Sequence, residues 1–133
     1  MNPATSETGV VAAVIDQGGR VLLAKRPHHK RYGGKWEFPG GKCETGESHS
    51  EAIRRELMEE LGVTVVSTEV PEFIITDRSI ALTIYYIPTT VVGTAQAREH
   101  DALAWVADED LLDYDLAPTD RSYAEYRISR AGC

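Results

Sequence analysis

The stretch that decides the reading of the chain is Gly41-Lys42-Cys43-Glu44-Thr45-Gly46-Glu47-Ser48, followed through Arg54 to Arg55-Glu56-Leu57-Met58-Glu59-Glu60-Leu61-Gly62-Val63. Its second half has the marks of a helix. Ser48 stands where it can cap the first turn, and Glu51, three residues on, completes a capping box. Gly62 follows the last periodic residue and can take the left-handed conformation that ends a helix. Ile53, Leu57 and Leu61 recur four apart and form one buried stripe. On the other face Glu56, Glu59 and Glu60 are related by i, i+3 and i+4, so their carboxylates crowd. Like-charge pairs at that spacing cost about 0.2–0.5 kcal/mol each. Glu59 and Glu60 also lie near the end where the helix dipole disfavours anions. Fold stability gives no reason for this arrangement. A hard divalent cation gives one, because oxygen ligands converging from one rigid face suit Mg²⁺ or Mn²⁺. The plain alternative is a solvated acidic face.

The preceding Phe38-Pro39-Gly40-Gly41 is a strand end running into two glycines, which let backbone approach a ligand closely. A carbonyl there could complete a metal shell. From Gly41 the chain resembles the Nudix box: a glycine, five residues, a glutamate, seven residues, then Arg-Glu-apolar-any-Glu-Glu-any-Gly-apolar. Gly41, Glu47, Arg55, Glu56, Leu57, Glu59, Glu60, Gly62 and Val63 match it without departure. The resemblance extends to Trp36–Lys42, Asp77-Arg78 and Leu116-Ala117-Pro118-Thr119-Asp120. These look like the MutT-like nucleoside triphosphate pyrophosphohydrolases, in the branch that includes CTP pyrophosphohydrolases and 8-oxo-dGTP diphosphatases.

The resemblance implies a function and a set of roles. The metal ligands would be the Gly40 carbonyl with Glu56, Glu59 and Glu60. Glu47 and Arg55 match positions that pair and hold the loop to the helix, with Gly41 as structural support. Metal screens phosphate charge and lowers the pKa of bound water. The general base stays open between Glu56 and Glu99. Glu99 follows Gly93–Arg98, a region where MutT-like members place a metal-binding acid. The implied reaction converts a (deoxy)nucleoside triphosphate to monophosphate and pyrophosphate, as in nucleotide-pool sanitation and DNA repair. Another nucleoside diphosphate derivative, or a non-catalytic nucleotide-binding module of the same fold, is the alternative. The implied partner is a free nucleotide, with neither a nucleic-acid polymer nor a membrane, and the protein would be a monomer or homodimer.

Asp120 stands where the best-known MutT enzymes have asparagine against the base. An ionised aspartate only accepts hydrogen bonds, whereas asparagine also donates. That suits the amino group of cytosine or the amino edge of guanine and counts against an 8-oxoguanine edge, unless burial protonates Asp120. Arg78 could touch base or sugar, or be a solvated turn residue. Phe38 could be core or ligand contact. Arg26, at a strand end in the basic stretch Lys25–Lys35, is the candidate for phosphate.

Composition sets bounds around this. A chain of 133 residues with 42% hydrophobic and 26% charged residues reads as one globular domain, with a loose start over residues 1–9. A net charge of −7 argues against a broad nucleic-acid footprint or an anionic membrane surface. Cys43 and Cys133 have no partners at zinc-ligand spacing and read as free thiols, which fits a reducing cytosol. No signal sequence or membrane-length apolar run is visible. Strands are expected at Val10–Ile15, Arg20–Ala24, Trp36–Phe38, Phe73–Thr76, Ile80–Ile87 and Ala102–Val106, with Pro88 ending the fifth and Thr64–Val66 opening the segment after the helix. A short turn capped by Asp108 and a last helix from about Asp120 to Arg130 follow. Strands on both sides of a central helix predict an α/β class, an α/β/α sandwich around a mixed sheet, which is also the Nudix fold.

Overall fold

The computed structural model describes residues 8–131. Most of the loose start expected over residues 1–9 lies outside the described residues, as does Cys133. Thr8 and Gly9 do not share that looseness, because they open the first strand.

That strand, β1 (Thr8–Gln17), is the centre of the molecule. Its apolar run is nearly continuous because both faces are covered. Val11, Ala13 and Ile15 point into one core cluster, Ala12 and Val14 into the other. Along one edge it pairs in parallel with β7 (Leu82–Val92), from Thr8↔Leu82 to Ile15↔Thr89. The other edge is divided. Its far end forms a hairpin with β2 (Arg20–Lys25), and its start pairs with β4 (Gly40–Lys42). β3 (Trp36–Glu37) pairs with the end of β2. The segment Trp36–Lys42 is thus wedged where β1 and β2 part, which carries Phe38–Gly41 into the middle of the protein.

β7 is divided in the same way. β6 (Phe73–Asp77) covers its first half and β5 (Thr64–Ser67) its second. Pro88 therefore does not end the strand, contrary to expectation. Its carbonyl accepts from Thr68 N–H at 3.3 Å, so its missing N–H faces the gap between β6 and β5 rather than β1. β8 (Ala102–Ala107) closes the outer edge of β2.

Helix α1 (His49–Leu61) lies on one face of this mixed sheet. Ala52, Ile53, Leu57 and Leu61 pack onto Val11, Ala13, Ile15 and Ile87. Both halves of the Ser48–Glu51 capping box form, and Gly62 closes the helix at φ 68° with its N–H on Met58 O. Helix α2 (Pro118–Ala131) covers the opposite face through Tyr123 and Ala124. It starts at Pro118, two residues before the expected Asp120, since proline's fixed φ suits a first helical position. A 3-10 helix, Asp108–Asp113, precedes it. Asp108 does not cap that turn; Ala107 occupies the cap position, and the Asp108 carboxylate accepts from Arg127 instead. The architecture is an α/β/α sandwich. Among the described residues, no helix is long and apolar enough to cross a membrane.

Candidate active site

The glycine loop meets α1 at close quarters. A Cβ on Gly40 would land on the Val11 carbonyl oxygen, and one on Gly41 would run into the Glu56 carboxylate. Glycine at 41 is what lets the loop backbone lie against the acidic face of the helix. Arg55 fixes this junction. Its Nε and Nη2 donate to the two oxygens of Glu47 at 2.7 and 2.9 Å, its Nη2 also to Lys42 O, and its Nη1 to Glu56 Oε2 at 2.9 Å. The Arg55 fork, followed by the Glu44 N–H, holds the Glu47 carboxyl down at about 2.

The three helix glutamates are not equivalent. Glu59 stays exposed, 3.7 Å from Arg55. Glu60 is 5% exposed, and its Oε1 has no hydrogen-bond partner. Burial first, then Glu56, Glu37 and Glu99, push its carboxyl far above the usual range. Glu99 is exposed on the loop before β8 but within electrostatic reach of Glu60. Among the described residues, no group of three His, Cys, Asp or Glu side chains stands ready-made around a metal position. The donor chemistry nonetheless fits a hard dication: an orphaned buried carboxyl oxygen, in the field of three further carboxylates, beside a backbone whose close packing only glycine permits.

Sequence reasoning missed two neighbours of Glu60. Glu37 accepts from Arg26 Nη1 at 2.8 Å and from His100 Nε2 at 2.9 Å. His100 Nε2 also lies 3.9 Å from Glu60 Oε1, and its Nδ1 is buried without a partner. No spacing in the chain links positions 37, 60 and 100; only the wedge of β3 and the approach to β8 unite them. Arg26 is thereby held by Glu37 and by the Arg31 carbonyl.

A cavity of about 300 Å³ opens beside the glycine loop. Glu37, Phe38, Gly40, Ile84, Tyr86 and Asp120 are among its lining residues. Phe38 is a core residue, 3% exposed and edge-on to Tyr86 and Tyr123, and it also lines the cavity. Asp120 reaches it because Trp36 N–H bonds Asp115 O and Ala117 N–H bonds Trp36 O, zipping the chain before α2 onto β3. Asp120 Oδ1 accepts from Tyr86 OH at 2.9 Å. Burial, then Glu37, push the Asp120 carboxyl up to about 8, against the pull of Tyr86, the Phe38 N–H and Arg26. Burial therefore favours the neutral form of Asp120, the exception under which the acceptor-only view lapses. Arg78 is exposed in the β6–β7 turn and is not among the residues lining the cavity; Asp77 and Ile80 are.

The chain matches the NUDIX domain over residues 5–126. It is 44% identical over 117 residues to the CTP pyrophosphohydrolase of Escherichia coli (strain K12), spanning 84% of each chain. It is 39% identical over 118 residues to the putative 8-oxo-dGTP diphosphatase 2 of Mycobacterium tuberculosis (strain CDC 1551 / Oshkosh), spanning 86% of this chain and 83% of that one. The solution structure of the E. coli ORF135 protein superposes with a TM-score of 0.82 at 37% identity, over 99% of this chain and 96% of that one. The chain belongs to the Nudix hydrolase family. It is an enzyme acting on phosphoanhydride bonds, a nucleotide pyrophosphohydrolase.

Proposed function

We propose that the protein hydrolyses (deoxy)nucleoside triphosphates to monophosphate and pyrophosphate in the manner of MutT, as part of nucleotide-pool sanitation in the cytoplasm. The observation that carries this is that one cavity is lined by Asp120 and by Gly40 and Gly41, with the Glu56 carboxylate of α1 lying against Gly41. A base seated against Asp120 and Tyr86 would direct its phosphates along the glycine loop towards the helix carboxylates. The names of the two relatives, one for CTP and one for 8-oxo-dGTP, support a triphosphate substrate. In the neutral form that burial favours, Asp120 offers a donor and an acceptor, as asparagine does, so both a cytosine edge and an 8-oxoguanine edge are open to it.

Glu56, Glu59 and Glu60, the Gly40 carbonyl and Glu99 would hold Mg²⁺, with Mn²⁺ as a substitute. When bound, that ion screens phosphate charge and acidifies water. The carboxylate of Glu56 or Glu99 would take the proton of the attacking water, whose oxygen bonds to phosphorus as the anhydride bond between the α- and β-phosphates breaks. Arg55 and Glu47 keep Glu56 in place throughout.

Pyrophosphate release measured over normal, methylated and oxidised triphosphates tests this. Glu56→Gln is expected to lower kcat by about 10²–10⁴-fold while leaving the melting temperature near that of the parent. Full activity in that variant, or turnover confined to nucleotide sugars or dinucleotides, overturns the reading.

A further inference from the structure

The loop that carries Glu99 is pinned on both sides. Gln96 N–H donates to Leu61 O and Arg98 N–H to Glu60 O, each at 3.0 Å. The Arg98 side chain reaches further back, Nη1 donating to Met58 O at 3.3 Å. These acceptors belong to the last turn of α1, where helix carbonyls run out of partners. Beyond Glu99, Asp101 N–H donates to Lys25 O at 3.0 Å, and its Oδ2 accepts from His28 N–H at 3.2 Å.

Arg98 is the specific part of this clamp. The last turn of α1 contains Met58, Glu59, Glu60 and Leu61 and no basic residue. A cation from elsewhere is what that end of the dipole lacks, and arginine near a C-terminus can bond its carbonyls. The guanidinium lies over Gly62: a Cβ there would stand 2.7–2.8 Å from Nε, Cζ and Nη2. Gly62 is thus the helix cap and also the seat on which Arg98 rests.

We propose that Arg98 is a positioning residue that docks the Glu99 loop onto the C-terminal turn of α1, and so presents the Glu99 carboxylate to Glu56 and Glu60. This rests on Glu99 serving the site; nothing in it depends on which base is preferred. Arg98→Met keeps the aliphatic stem and removes the donors.

Two measurements test the idea. The first uses metal-free protein: amide exchange at residues 96 and 98, whose N–H groups bond the last turn of α1, should quicken about tenfold in Arg98→Met, while the amides of β1 and β7 keep their parental rates. The second is a cycle with Glu99→Gln. Arg98→Met alone should lower kcat about tenfold with KM little changed, and Arg98→Lys should recover most of that loss. In the Glu99→Gln background, Arg98→Met should cost less than about twofold more. Unchanged loop exchange, or a full and independent loss on top of Glu99→Gln, overturns the proposal. A Glu99→Gln enzyme with parental kcat overturns it by a separate route, since Arg98 then has nothing to act through.

Discussion

At the scale of single residues, Asp120 shows how a side chain's chemistry depends on partners remote in sequence. The buried carboxyl is raised from 3.8 to about 8. Between those values the unfolded chain has released its proton and the folded one has kept it. The unfolded state then binds fewer protons, so stability falls as pH rises from about 4 to about 8. Asp120→Asn keeps an oxygen for Tyr86 and the Phe38 N–H and removes the ionisation. It should match the parent near pH 4 and exceed it at pH 8 by a few kcal/mol, seen as a melting temperature about 5 °C or more higher. Equal melting temperatures at pH 8 would show that Asp120 ionises freely in the fold. The residue was visible in the sequence as a candidate base contact, with protonation by burial as the exception; that it is buried was not. Burial depends on Tyr86 from β7, Phe38 from the wedge and the zipped approach to α2 meeting in space. Glu37 and His100 escaped notice for the same reason.

At the scale of elements, the seam between β4 and α1 is where geometry is least forgiving. Gly41 has no side chain because the Glu56 carboxylate occupies that space, and Arg55 holds the carboxylate there. Gly41→Ala should displace Glu56, lowering kcat/KM by about 10²-fold. The melting temperature should move by only a few degrees, because β4 is short and its residues keep partial exposure. An active Gly41→Ala enzyme would mean that the seam is looser than described. The helix was legible in advance because its signals are local: Ser48, Glu51, the four-residue apolar stripe and Gly62 each act within a turn or two. The strands around Pro88 were misjudged because a missing N–H matters only on an edge that needs it. Which edge of β7 faces β1, and where β6 gives way to β5, is a property of the assembled sheet.

At the scale of the whole molecule, Arg127 ties three elements together. Its Nη2 bonds Asp16 at the end of β1, its Nε bonds Asp108 in the 3-10 helix, and its Nη1 lies 3.4 Å from Tyr123 OH. The side chain is only 9% exposed, while the carboxylates of Asp16 and Asp108 reach solvent. Arg127→Met should cost about 2 kcal/mol, less than the about 3–5 kcal/mol of a fully buried pair, because the abandoned carboxylates remain hydrated. Urea denaturation would report it, and a change below about 0.5 kcal/mol would show the tie to be ornamental. The sandwich could be anticipated from the order of helices and strands. The parallel pairing of β1 with β7 could not, since nothing near either strand names its partner.

That pairing has a consequence for biogenesis. During translation β1 emerges about seventy residues before the strand that will lie beside it, and the acidic helix is made in between. Until Leu82–Val92 has left the ribosome, this apolar strand therefore has one edge unpaired, with only β2 and β4 made to line the other. Growth conditions that slow or stall synthesis before that point would be expected to yield insoluble fragments rather than partly working enzyme.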